Sequence, residues 1–374
     1  MTRKNNSSRL LLNIRSVTLR VSFTWLMLLL LAACGTSTPP PTTPTSIPLA
    51  KEIFFRDWEG DMPQSVLDAF TAEYGIKVNY VIYESQEEAI DDIKAGQTYD
   101  VVVMESRLIP LLIQQNLLAQ LDQRNLPNTK NLSASFRELA YDPGNRYSIP
   151  YSWGTTGLVY RSDLVDEPVT RWSDLWDPRY AGRVALWTGQ SREVISLTLK
   201  SLGYSANSER PAELEAALEH LLELKNRFLA VEDFDLSTSA GILNSGQTVI
   251  AMGYANDVLL GRELNPSISY TLPKEGALLW NDTFVIPANS PNKYTAELFL
   301  NFLLRADINA QVVNENLFAT PNEAALPLIK TEILSNPVIF PANSDLANAE
   351  LLLPLSPQGQ QLYDQIWQRF NTTP

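Results

Sequence analysis

The chain has 374 residues, 42 of them acidic and 29 basic, a formal net charge of −13 at pH 7, one histidine and one cysteine. With one histidine and one cysteine, no Ser-His-Asp triad, Cys-His pair or His/Cys metal cluster can be convincingly assembled. The negative charge argues against nucleic-acid phosphates and favours cationic ligands. Neither a Gly-x-Gly-x-x-Gly turn nor a P-loop is present, and carboxylate-pair chemistry of the glycosidase kind stays open.

The first 34 residues read as an export signal. Arg3, Lys4, Arg9, Arg15 and Arg20 precede an apolar run, Val21 to Ala33, that is short for a membrane span of roughly 20 residues. The run ends Leu31-Ala32-Ala33-Cys34, which resembles the lipobox of bacterial lipoproteins and makes Cys34 the expected lipidation site. Without that segment 24 basic residues face 42 acidic ones, a formal charge of −18. Residues 35–50 are Pro/Thr-rich and read as a tether, reaching about 40 Å at ~3.1 Å per residue in the polyproline II form. The remaining body of roughly 325 residues is long enough for two domains.

Along the body, Glu52–Phe55 reads as a strand, Pro63–Tyr74 as a helix stopped by Gly75, and Ile76–Tyr83 as a strand. Ser85-Gln86-Glu87-Glu88 is a capping box that opens a helix ended by Gly96. Tyr99–Met104 is a buried-type strand. This βαβαβ order predicts a parallel sheet with crossover helices. A second α/β set follows, with strands at Arg183–Trp187, Thr248–Gly253 and Ser267–Leu272. Its helices start after Gln190 and at Pro211, and His220 lies on the flank of the second, a surface position. Trp280 and Asp282 come just before a strand-like run, Thr283–Ile286, where the chain is inferred to cross back to the first set. Asn292–Leu304 and Ala306–Glu315 read as helices.

Ligands of open α/β sheets sit beyond the carboxyl ends of the strands. Trp58, Glu193, Tyr254, Trp280 and Asp282 all fall at strand ends or crossings. Aromatic rings can line an alkyl chain and attract an ammonium, and carboxylates give charge-assisted hydrogen bonds. Together they form a box for an elongated cation.

Ordered words along the body carry a resemblance. They include Phe70-x-x-Glu73-x-Gly75-Ile76-Lys77-Val78, Tyr147-Ser148-Ile149-Pro150-Tyr151-x-Trp153-Gly154, Trp172-x-Asp174-Leu175-Trp176, Pro273-Lys274-Glu275-Gly276 and Thr320-Pro321-Asn322. The chain resembles the polyamine-binding proteins of bacterial ABC transporters, the spermidine/putrescine-binding family. The resemblance implies the α/β periplasmic-binding-protein fold: two lobes, each a mostly parallel sheet flanked by helices, with a cleft that closes on the ligand. The expected lobes are 51–153 plus 283–322 and 154–282 plus 323–374. It also implies that Trp58 packs on the ligand's methylenes, that Glu193 and Asp282 hold amines, and that Tyr254, Trp280 and Phe318 form aromatic walls.

Several positions depart from the family pattern. Asp61 stands at a cleft aromatic, Glu105 and Arg107 at a small hydroxyl residue and a tyrosine, and Gln190 at an amine-binding acid. The expected protein is therefore not an enzyme and needs no cofactor or metal. It is a monomeric, lipid-anchored component on the outer face of the cytoplasmic membrane that captures a polyamine for an ABC permease. Arg107 keeps open an amino acid, a phosphonate, thiamine or a sugar-like solute on the same fold. A carboxylate-based extracellular enzyme and a sensory module are the remaining alternatives.

Overall fold

The computed structural model describes residues 48–225, 228–231 and 242–373; the signal segment, Cys34 and most of the tether lie outside them. Leu49–Pro374 forms one compact unit, and none of its described helices is long and apolar enough to cross a membrane.

The first βαβαβ is built as the sequence predicts. Strands β1 (Glu52–Asp57), β2 (Lys77–Ile82) and β3 (Val101–Glu105) lie parallel in the order β2-β1-β3. Helices α1 (Gln64–Tyr74) and α2 (Gln86–Lys94) make the crossovers. Gly75 closes α1 in the left-handed region at φ 69°, where a side chain would be strained. At α2 the Ser85 hydroxyl accepts from the Glu88 amide at 3.1 Å. The return arm of the capping box is displaced: the Glu88 carboxylate accepts from the amide of Glu84, not Ser85. Glu88 is at the same time an ion-pair partner of the buried Arg56.

The second set contains β5 (Val184–Trp187), β6 (Phe228–Val231) and β7 (Ile250–Tyr254), with β5 parallel to both neighbours. Helices α3 (Ser191–Ser201), α4 (Pro211–Lys225) and α5 (Ala255–Leu264) belong to it. His220 stacks on Trp176 with ring centroids 4.2 Å apart, and its carbonyl accepts from the Trp176 indole at 2.8 Å, a packing role.

Two long antiparallel strands join the sets. Strand β4 (Ser148–Arg161) pairs with β7, with β8 (Ile268–Thr271) and with β9 (Leu278–Val285). Strand β9 pairs with β3 along Asp282–Val285 and with β4 along its whole length. The strand expected at Thr283–Ile286 therefore begins five residues earlier, and Trp280 and Asp282 lie inside it rather than before it. One edge of β9 is paired with β4, and the other with Glu350–Leu351 at Leu278–Leu279 and with β3 at Asp282–Val285, which holds even polar residues in extended backbone. Strand β4 did not read as a strand, because Pro150, Gly154 and Gly157 break its pattern. Its register shifts between Pro150 and Ser152, an irregularity that suits a residue without an N–H. Gly154 faces Trp280 across the ladder, and a Cβ there would lie 2.2 Å from the indole.

Helices α6 (Lys293–Leu303) and α7 (Ala306–Asn316) return the chain to the first set. Residues 325–339 then pack on α7 through Ala325, Ile329, Ile333 and Ile339. Strand β10 (Glu350–Leu351) pairs with β9, and α8 (Pro357–Thr372) packs on the second set through Tyr363, Ile366 and Phe370.

The core of the first set is an aromatic block. Phe299 meets Phe55 and Phe70 edge-on at 5.5 and 4.8 Å, and Phe70 meets Phe302 at 5.3 Å. Phe299 is fully buried, so Phe299→Ala should cost about 3–5 kcal/mol through lost transfer energy and the cavity left behind. Chemical denaturation of wild type and variant measures this; a difference below about 1 kcal/mol would show that the block repacks.

Candidate functional site

Strand β1 runs Ile53, Phe55, Asp57 along one buried face, and Asp57 is fully buried at its carboxyl end. One Asp57 oxygen accepts from the Trp58 amide at 2.8 Å; Oδ2 has no partner among the described residues. Burial pushes its pKa well up, and the neighbouring Asp61 and Asp282 carboxylates push it further. Trp58 stands edge-on to Tyr83, ring centroids 4.6 Å apart.

The turn after β1 is anchored through its backbone. Tyr80 donates its hydroxyl to the Trp58 carbonyl. Tyr151 and Asn316 both donate to the Asp61 carbonyl at 2.9 Å. Burial raises the Asp61 carboxyl to about 7.

Asp282 is buried on β9, directly opposite Glu105 of β3 and Ser152 of β4. Its Oδ1 has no partner among the described residues. Burial drives its pKa well up, Glu105, Asp61 and Glu193 add repulsion, and Arg107 opposes them. Trp280, two residues earlier on the strand, shares its face. The indole stands edge-on to Tyr254 at 6.0 Å and Phe318 at 5.5 Å.

Glu193 lies in the first turn of α3, buried, and accepts from the Tyr254 hydroxyl at 3.0 Å. Burial raises it to about 7, with Glu105 adding to the shift. Its neighbour Arg192 points elsewhere, to Tyr363, Asn207 and the Ala206 carbonyl, and so fixes the helix that carries Glu193. Arg107, in the turn after β3, is ion-paired to Glu105. Burial opposes its charge, but Glu105, Glu87 and Glu193 outweigh it and keep the guanidinium protonated.

The acids act on one another: Asp61 and Asp282 on Asp57, and Glu105 on both Asp282 and Glu193, while Arg107 is ion-paired to Glu105. Trp280 meets the rings of Tyr254 and Phe318, and Trp58 meets that of Tyr83. Asp57 was missed from sequence, although the two-residue period through Ile53 and Phe55 places it on the buried face. Among the described residues no group of three or more acids, histidines or cysteines is arranged to hold a metal ion. Buried acceptors beside aromatic rings suit organic cations.

Comparison with known proteins gives the family. Residues 65–341 match the family model described as bacterial extracellular solute-binding protein. The spermidine/putrescine-binding periplasmic protein of Escherichia coli K12 is 35% identical over 301 residues, covering 80% of this chain and 85% of that one. A spermidine/putrescine ABC transporter substrate-binding protein from Streptococcus pneumoniae superposes with a TM-score of 0.76 at 30% identity, covering 86% of this chain and 99% of that one. A Treponema pallidum lipoprotein superposes with a TM-score of 0.77 at 25% identity, covering 85% and 99%. The chain belongs to the bacterial extracellular solute-binding protein family and has its two-lobed fold.

The raised carboxyls have a consequence for stability. An acid whose pKa is higher folded than unfolded binds more protons in the native state between the two values, so its contribution is lost as pH rises. The ligand-free protein should therefore lose thermal stability from about pH 5 to about pH 8, and Asp57→Asn or Asp282→Asn should flatten that slope. Melting curves across the range check this; a melting temperature that rises over it would contradict the assignment.

Proposed function

We propose that the protein is the substrate-binding component of an ABC importer and captures a polyamine, putrescine or spermidine, in the cleft between its lobes. The observation that carries this reading is the pair of buried carboxylate oxygens without a partner among the described residues, Asp57 Oδ2 and Asp282 Oδ1, on segments that also carry the rings of Trp58 and Trp280. An ammonium supplies the missing donors and the missing charge together. Trp58, Trp280, Tyr254 and Phe318 then cover the methylenes, and the ring faces add cation–π attraction. Glu193 takes a second ammonium, with the Tyr254 hydroxyl fixing its orientation.

The process is capture without covalent change. Closure of lobe 51–153 plus 283–322 on lobe 154–282 plus 323–374 buries the amine. The closed form then docks on a membrane permease. The names of the spermidine/putrescine-binding relatives support this reading.

Each charge-assisted contact contributes about 1.5–3 kcal/mol. Asp282→Asn and Glu193→Gln should each weaken putrescine or spermidine binding at least about tenfold. Titration calorimetry on purified protein, unfolded and refolded to strip carried-over ligand, makes the measurement. Unchanged affinity in both variants would sink the site assignment.

We also place the protein on the outer face of the cytoplasmic membrane, held by lipid on Cys34. The Leu31-Ala32-Ala33-Cys34 word supports this, as does the Treponema lipoprotein among the structural relatives. Labelled palmitate fed to expressing cells should enter the wild type and not Cys34→Ala; label in the variant would refute lipidation at this residue.

A further inference from the structure

A cleft built for cations holds a cation of its own. Arg107 lies mostly buried against Glu105, two residues away along the turn that follows β3. Glu105 in turn is the direct cross-strand partner of Asp282, a position where like charges destabilise each other unless a cation intervenes. Glu87 from α2 and Glu193 from α3 also act on the guanidinium, and Arg192 repels it.

Resting on the polyamine reading above, we propose that Arg107 is a resident counter-cation that occupies Glu105, the carboxylate opposite Asp282, so that the cleft selects a diamine over a triamine. Glu105 is already served by Arg107. The acids still open to a ligand are Asp57 and Asp61, at and after the end of β1, Asp282 on β9, and, in the second set, Glu193 at the start of α3. A diamine places one ammonium at Asp57, Asp61 and Asp282 and the other at Glu193. The additional ammonium of a triamine finds Glu105 taken and meets the like charge of the guanidinium.

The same reasoning gives Arg107 a role that can be undone by a second substitution. Arg107→Met removes the charge and keeps an unbranched apolar side chain, which returns Glu105 to the cleft as an open acceptor. Adding Glu105→Gln removes that acceptor again.

Calorimetry on refolded wild type, Arg107→Met and the double variant Glu105→Gln/Arg107→Met, with putrescine, spermidine and 4-aminobutyrate, tests this. Wild type should prefer putrescine to spermidine. Arg107→Met should shift the affinity ratio toward spermidine by at least about tenfold, the size of one charge-assisted contact, and the double variant should reverse most of that shift. A smaller shift overturns the role of Arg107 and leaves the polyamine site standing. A wild type that prefers spermidine overturns the role without any variant. Tighter wild-type binding of 4-aminobutyrate than of putrescine, lost in Arg107→Met, makes Arg107 the partner of a ligand carboxylate instead. Folded wild type that binds neither amine overturns the polyamine reading itself, and this role with it.

Discussion

A carboxylate taken out of water without a counter-charge is costly, and this protein gathers five of them in one region. Asp57, Asp61, Glu105, Glu193 and Asp282 each act on at least one of the others, and Arg107 is the cation ion-paired among them. Burial raises four of the five, so that part of the cost is met by proton uptake. The remainder must be carried by the cores on either side. A bound cation lowers it by supplying charge and donors together. Ligand affinity and the strain of the ligand-free state are thus two views of one interaction.

Holding such groups in place requires rigid supports outside the cleft. Arg56, fully buried behind the end of β1, is ion-paired to Glu88 and Asp92 and hydrogen-bonded to the Tyr99 hydroxyl at 2.6 Å. It ties β1 to α2 one residue before Asp57. Arg192 does the same for α3 one residue before Glu193. In both cases a hydrogen-bonded arginine stands next in sequence to a buried acid of the candidate site. Gly154 contributes by having no side chain, which lets the Trp280 indole lie across the strand. Pre-ordered carboxylates and rings lose little entropy when ligand arrives, and this favours affinity more than extra contact area would.

The strands β4 and β9 give the site its continuity. Asp282 pairs toward the first set through Glu105, while Trp280, on the same strand and face, meets Tyr254 of the second. A shift between the sets therefore moves the two residues relative to different walls. Both residues lie on backbone paired with β4, and Asp282 is paired with β3 as well, so neither sits on a loop.

Local pattern sufficed for much of the fold. Apolar spacing with glycine stops and a serine cap located α1, α2 and the parallel strands β1, β2 and β3, because the caps, stops and apolar periods of those elements are local in sequence. It failed at β4 and at the start of β9, whose Pro, Gly, Trp and Asp residues suit partners distant in sequence. The same division runs through the site. Trp58, Glu193, Trp280 and Asp282 stood out as aromatic and acidic residues at predicted strand ends or crossings, and the ordered words carried the resemblance to the family. What only the tertiary structure decided is that Asp57 belongs with them, that Glu105 opposes Asp282, and that Arg107 neutralises Glu105. Residue type and spacing are properties of the chain, but the pKa of a carboxyl and the partner of a guanidinium depend on what folding brings within a few ångströms.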